Sequence, residues 1–475
     1  MSENTDLQFP CTERPEDPSH RSLLGIYGQR QEGLHMQRIK IHRGRLAPAQ
    51  LAALADLAGR YTPDYPLHVT TRQDIQLHGV KPEDLPAVQR AIDQAGLTTL
   101  GACGDSLRNV TTCPENGLRE GTPDVSAVAD AIREAGESLP FIRDMPRKFK
   151  MSVSCCEDLC ARPWINDLGL VARTDGTFRV IGAGSLGRRP ATGIELRESL
   201  DIEIVVPFVV ACLRFFNAEG NRQKRYSARW RHVRERMGDW EFRGYLDGCL
   251  SDELRNGDWP VPEMPIVSEG MEQRAHLRLP LGDLSVELAK DLAERAGEAG
   301  GTIRLGFEHD LFVFAPQPVD LSAELEDLAD GPVVVACPGT TWCARGLSNS
   351  RQIETEVRKS WPEGLKLALG FSGCPNNCAH AAVADIGLTG RVKTIDGQRT
   401  HCFRLFAGGG RGCSPRMATE LHRAVPQEEA PAVITWMADQ YAASQHEAFA
   451  DFITAEGAGL SRQIEERVGI SAERK

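Results

Sequence analysis

The chain has 475 residues, 41% of them hydrophobic and 25% charged, and a formal net charge of −11. That length gives a prior of about three domains, and the composition is that of a folded protein rather than a disordered one. The negative balance argues against nucleic acid and acidic membranes as partners.

Residues 1–20 are polar, acidic and proline-bearing, with no apolar stretch of the kind a secretion signal carries, and are expected to form a loose arm. Fourteen cysteines without a targeting segment point to a reducing cytoplasm, where thiols serve metals rather than bridges. A small α+β unit is expected over 21–95: His35–Ile41 alternates as a strand, Ala47–Tyr61 has Leu51, Leu54 and Leu57 at helical spacing, and Leu67–His78 reads as further strand.

A larger α/β unit is expected over 96–251. Within it Arg147–Val153 reads as a strand whose period of two puts Lys148 and Lys150 on one face and Phe149, Met151 and Val153 on the other. Two neighbouring ammonium groups repel unless an anion lies between them; a solvated strand edge is the plainer explanation. Gly182-x-Gly184-x-x-Gly187 follows the strand-like Phe178–Ile181 in the form of a dinucleotide fingerprint, but Glu195, Glu198 and Asp201 come too early to close it. This loop and its counterpart at Gly408 and Gly409 are read instead as backbone approaching an anionic cofactor edge. Ile202–Phe216 is apolar but too short and interrupted to span a bilayer, and reads as buried. The cationic run Arg222–Arg236 reads as one helix face.

Residues 252–265, with Asn256, Gly257 and three prolines, are the expected linker. A second small unit (266–330) and a second larger one (331–475) follow. Cys337-x5-Cys343 and Cys374-x3-Cys378 offer four thiols from two loops, which suits a [4Fe–4S] cluster. Structural zinc favours C-x2-4-C pairs, so the x5 spacing fits it poorly. Pro375 suits a first helical position, which would set Cys374 at a helix N-terminus with Cys378 on the same face.

The halves are related. Residues 154–170 match 372–388 at a constant offset of 218. Phe178–Gly182 matches Phe403–Ala407, Arg38–Leu46 matches His276–Leu284, and Asp74–Gln76 matches Asp310–Phe312. A period of this length is a duplication rather than a solenoid. Lys150 maps onto Ala368 and Arg72 onto Glu308, so cations concentrate in the first half. The cysteine pattern is complete only in the second, because Arg119 stands where Cys343 would be; Cys155, Cys156 and Cys160 read as small apolar packers.

Together these residues resemble the siroheme-dependent nitrite/sulfite reductases, from Gly25-Ile26-Tyr27-Gly28-Gln29-Arg30 to the last glycine loop. The motifs are Thr70-Thr71-Arg72-Gln73, Asp105-Ser106-Leu107-Arg108-Asn109-Val110, Pro146-Arg147-Lys148-Phe149-Lys150 and both cysteine pairs. The resemblance implies an α+β fold with pseudo-twofold duplication: two ferredoxin-like half-units form one domain, and two larger α/β units surround a central siroheme. It implies that Cys337, Cys343, Cys374 and Cys378 hold a [4Fe–4S] cluster, with Cys378 bridging to the siroheme iron. Arg72, Arg108, Lys148 and Lys150 would bind the anion, and Arg38, Arg147 and members of Arg222–Arg236 would meet the siroheme carboxylates.

The activity implied first is assimilatory six-electron reduction of sulfite to sulfide, because His78-Gly79 follows the Thr-Thr-Arg-Gln segment. Reduction of nitrite to ammonia is the alternative. A tetrapyrrole-modifying enzyme of corrin biosynthesis is a second, against which the Lys148/Lys150 pair argues. With no flavin or nicotinamide domain visible, electrons are expected from a ferredoxin or a flavoprotein.

Overall fold

Duplication is plainest in the two large sheets. In the computed structural model, which describes residues 18–329, 332–413 and 415–470, each is five-stranded with the same order and directions. Strands Leu107–Thr112, Phe149–Ser154 and Leu168–Ala172 run parallel, and Thr177–Gly182 and Ile194–Asp201 follow antiparallel. Val334–Ala336, Leu369–Ser372, Ile386–Ile395, Gln398–Ala407 and Thr419–Pro426 repeat the pattern. Parallel strands must be covered on both faces, and Leu168–Ala172 is buried at every residue. Helix Ile202–Glu219 supplies cover in the first sheet's core, with Phe215 packed on Trp230 and Phe242. No helix among the described residues is long and apolar enough to cross a membrane. Residues 1–17 of the expected arm lie outside the described residues.

The small units are interlocked. Ile26–Gly28, His35–Lys40, Asp74–Val80 and Leu67–Val69 form a sheet completed by the two-residue strand Asp283–Leu284 of the second half. In return Arg45–Leu46 completes the sheet of Gln273–Arg278, Asp310–Phe314 and Thr302–Leu305. Helices Pro48–Tyr61 and Val286–Glu298 share one apolar core, to which Leu51, Leu54, Leu57, Ala289 and Leu292 contribute. The two half-units therefore make one domain, as the α+β expectation required.

Three local expectations need correction. Leu67–His78 is two strands, because residues 70–73 turn and Gln73 adopts φ 55°. Its side chain donates to the carbonyls of Thr112 (2.8 Å) and Leu305 (2.7 Å), which offsets the cost of a left-handed residue. Cys374 does not begin a helix. Asn377 (φ 58°) and His380 (φ 57°) turn the chain left-handed, so Cys374 and Cys378 lie on a tight loop. The expected linker starts inside helix Asp239–Asn256, where buried Glu253 pairs with Arg214 and accepts from Trp259 Nε1 at 3.1 Å. Only 257–265 is non-helical.

Candidate functional site

Alternation in strand Phe149–Ser154 sends Phe149, Met151 and Val153 into the apolar core and Lys150 the other way, with Lys148 just ahead of the strand on the same face. Arg108 stands on the neighbouring parallel strand. The Lys150 backbone is fixed by its N–H donating to Asp167 Oδ2 (2.7 Å), a carboxylate that also takes two bonds from Arg229 (3.0 and 2.6 Å). Neither lysine ammonium has a hydrogen-bonding or ion-pairing partner among the described residues. Burial, then Arg108 and Arg229, push Lys148 down to about 7. Burial, then Arg72 and Lys148, push Lys150 well below its ordinary value too.

Arg72 projects into the same region. It donates to Asn166 Oδ1 (2.7 Å) and to the carbonyls of Asn109 (2.8 Å) and Met151 (3.1 Å), while its buried Nε has no partner. Burial, opposed by Asp74, brings it down to about 10. Arg108 folds onto its own loop, donating to the carbonyls of Ala102 (2.8 Å) and Gly104 (2.8 and 3.2 Å). Cations enclosed together with so few acceptors are costly unless an anion joins them. The arrangement is therefore a candidate anion site.

The four second-half cysteines converge beside it. Cys337 follows Val334–Ala336, Cys343 ends the short helix Gly339–Trp342, and Cys374 and Cys378 follow Leu369–Ser372. All four are free thiols. The Gly373 N–H donates to Cys337 Sγ at 3.1 Å. Burial, then the charge of Cys378, raises Cys337 to about 11 and Cys374 to about 12; burial also raises Cys343, which Cys378 pushes further. Thiols that raise one another in this way are relieved by metal cations among them. No group of three or more His, Cys, Asp or Glu side chains among the described residues is arranged for a single metal ion.

The two sets meet across the halves. Thr71 Oγ1 donates to the Cys378 carbonyl at 3.2 Å, and Cys378 acts electrostatically on Arg38, Lys148 and Lys150. Arg38 is the half-buried rim candidate. Burial lowers it, but Cys103, Asp74, Tyr27 and Cys378 more than compensate and leave it raised.

Other rim candidates are placed differently. Arg147 pairs with Asp105 (2.6 Å), as does Arg225 (2.5 Å). The Arg222–Arg236 run is not one helix face: only Trp230–Met237 is α-helical, Arg229 and Arg231 are buried, and Arg222, Arg234 and Arg236 make surface pairs. The glycine loops are packed against neighbouring backbone. The N–H groups of Gly408 and Gly409 are already bonded to the carbonyls of Asp385 (2.8 Å) and Ala384 (3.0 Å). Gly182 is paired within its sheet. A Cβ on Gly184 would strike the Trp164 carbonyl, and one on Gly409 the Ala384 carbonyl. Close backbone packing requires glycine at 184 and 409.

The sequence did not single out Arg162, Glu308, His380 and Arg411. Arg162 donates to Glu308 (2.6 Å) and to His380 Nδ1, and Arg411 donates to Glu308 (2.5 Å). Burial, then Arg162, keeps His380 neutral. Arg411 Nε and Nη2 are buried without partners, so this cluster holds unspent donors beside the anion site's loops. Arg162 and His380 are 218 residues apart, so the repeat offset was the available signal.

The pattern of the nitrite and sulphite reductase 4Fe-4S domain matches residues 103–250 and 332–471, and that of the nitrite/sulfite reductase ferredoxin-like half domain matches 27–95. The assimilatory ferredoxin-dependent nitrite reductase of Haloferax mediterranei is 28% identical, over 94% of this chain and 87% of its own. The ferredoxin–nitrite reductase of Leptolyngbya laminosa is also 28% identical, over 87% and 88%. The solved structure of the Mycobacterium tuberculosis NirA protein shares the fold with a TM-score of 0.78 at 22% identity, covering 96% of this chain and 91% of that one.

Proposed function

The chain belongs to the nitrite and sulphite reductase family of siroheme and [4Fe–4S] oxidoreductases, and from that premise we propose that it reduces nitrite to ammonia with electrons from a ferredoxin. His78-Gly79 after the Thr-Thr-Arg-Gln segment is the sequence feature that points to sulfite. His78 is buried, bonded to Gln29 (3.2 Å) and Gln76 (2.9 Å), and packed 4.5 Å from the Trp342 ring, so it gives no information about the anion. Relatives similar over most of their length carry nitrite in their names, and that moves nitrite ahead.

The single observation that carries the reading is the unpartnered Lys148/Lys150 pair beside Arg72, facing Cys378. Cys337, Cys343, Cys374 and Cys378 would hold the cluster, with Cys378 shared with the siroheme iron, and Arg38 would meet a siroheme carboxylate. When bound, these groups supply the iron that takes the anion and the path for six electrons. The chain's own residues do the rest. Arg72 stays charged and orients the anion through its free Nε, while its other nitrogens are braced by Asn166 and two carbonyls. Lys148, brought down to about 7, and Lys150, also pushed well down, bind oxygen while charged and release protons as each oxygen departs as water. A corrin-modifying enzyme would have no use for such a pair.

Steady-state kinetics of the cofactor-loaded protein, with reduced ferredoxin and with a chemical donor, test the proposal. A larger kcat/KM for sulfite than for nitrite would overturn it.

A further inference from the structure

The Arg162 turn borders a small cavity that the proposed reaction does not use. Arg162, Trp164 and Arg411 line it together with the apolar Ile165, Val383 and Pro415, and no carboxylate among the described residues does. Its volume of ≈ 10 Å³ has room for one guest of water or halide size. The donors around it are not used up. Arg411 donates from Nη1 to Glu308 (2.5 Å), but its Nε and Nη2 are buried without partners, and so is Trp164 Nε1. A buried donor without an acceptor carries a desolvation cost that a guest able to accept would relieve.

Charge and the repeat narrow the guest. Among the described residues Glu308 is the one carboxylate paired with Arg162 and Arg411, so a positive charge is left over. At the offset of 225 that relates Phe178–Gly182 to Phe403–Ala407, Arg411 stands at the place of Leu186. The bridge between Ser185 and Ala191 is matched there by one between Gly410 and Arg416. Leu186 packs with Ile165, Ala382 and Val383 in a small apolar cluster. Arg411 thus brings a guanidinium to the edge of apolar side chains where its repeat counterpart is itself apolar, a costly exchange unless an anion joins it. Water suits the place less, because it accepts from two donors while its own hydrogens would face guanidiniums and apolar side chains. Polyatomic oxyanions exceed the space.

We propose that this cavity is a second anion site, separate from the lysine pair, which holds a single halide ion, chloride, on the free donors of Arg411 and Trp164. The site has a structural consequence for the first. Asn166 Nδ2 donates to the Arg162 carbonyl at 3.0 Å, and Asn166 Oδ1 accepts from Arg72 at 2.7 Å. The ion therefore sits behind the turn that braces Arg72, and ties that turn to the last glycine loop of the second half. The site stands whichever oxyanion is reduced.

The test follows thermal unfolding of the full-chain holoenzyme at constant ionic strength while sodium chloride replaces sodium gluconate. The melting temperature should rise and then level off as the site fills, because a ligand held by the folded protein alone stabilises it. Arg411→Leu, which installs the residue of the first half, should abolish the rise. Trp164→Phe should weaken the apparent chloride affinity about tenfold, the loss of one hydrogen bond to a charged ligand. In crystals of the parent protein grown with bromide, an anomalous peak should stand in the cavity within hydrogen-bonding distance of Arg411. A chloride response that is unchanged in Arg411→Leu would overturn the assignment. So would a flat response in the parent protein, which would reduce any bromide peak to an adventitious ion only, or a cavity that holds water in the bromide crystals.

Discussion

The two large units share strand order, strand directions and even their exceptional backbone, yet divide the chemistry between them. Leu159 and Arg162 (φ 58° and 52°) are matched by Asn377 and His380 (φ 58° and 57°), and Lys150 N–H donating to Asp167 is matched by Ala368 N–H donating to Asp385 at 2.8 Å. What differs is the side chains mounted at equivalent places. One loop carries a full set of cluster thiols and the other an arginine in place of one. One strand carries a lysine and the other Ala368. A duplicated fold fixes where groups stand, and single substitutions decide whether the place presents thiols or cations.

The sharpest way to break this comparison is to remove the equivalent thiol from each half. Cys378→Ser should abolish turnover and the iron–sulfur content, read by iron analysis and absorbance, because a cluster ligand and the link to the haem are lost together. Cys156→Ser, at the offset position, should leave iron content and nitrite turnover unchanged. Loss of the cluster from Cys156→Ser would mean that the first-half thiols also hold iron.

Next in size is the lysine pair. Lys150→Met should lower kcat/KM for nitrite about 10²–10³-fold, the usual cost of removing a preorganised charge donor. In the apo-protein the same change should stabilise folding by on the order of 1–3 kcal/mol, since the lysine is held unpaired against its solvation. Thermal unfolding of the apo-protein reads the second effect, and a lower melting temperature for the variant would show that the ammonium has a partner.

Glu308, at the position of Arg72, reverses the charge and pairs with Arg162 and Arg411. Burial opposes its ionisation, but Arg411 and Arg162 hold it below the usual carboxylate range. A depressed carboxylate contributes stability that is present above its unfolded value, about 4.5, and is lost as pH falls through the folded one. Glu308→Gln should therefore cost about 1–3 kcal/mol at pH 7 by denaturant unfolding, with the difference from the parent shrinking below about pH 4. A pH-independent difference would assign the loss to packing rather than charge.

These contrasts also show what the chain disclosed before folding. Contiguous motifs were legible: the cysteine pairs, the lysine alternation, and the duplication that set cluster and cations in opposite halves. The exchange of Arg45–Leu46 and Asp283–Leu284 was not, because a two-residue strand carries no periodicity. The turn at Cys374 looked helical because Pro375 suits a helix start, whereas the left-handed Asn377, like its counterpart Leu159, belongs to a loop that the fold repeats in both halves. Arg162, Glu308 and Arg411 stayed hidden because each is meaningful only through a partner more than a hundred residues away.

The smallest effect is a titration that belongs to the cation half alone. Lys148, without an anion, loses its proton near pH 7, chiefly through burial. A bound anion favours the charged lysine, so affinity should be full below about pH 7 and fall as pH rises, by up to about tenfold per unit while one proton is coupled. The sign for folding is opposite: the unfolded lysine keeps its proton up to about 10.4, so the unligated protein gains stability as pH rises between the two values. Nitrite affinity measured from pH 6 to 9 by the shift of the haem bands reads the first trend. Lys148→Arg, whose charge does not titrate there, should flatten it. If the slope survives in Lys148→Arg and disappears in Lys150→Arg, the titrating group is the deeper lysine, and the proton released first comes from Lys150.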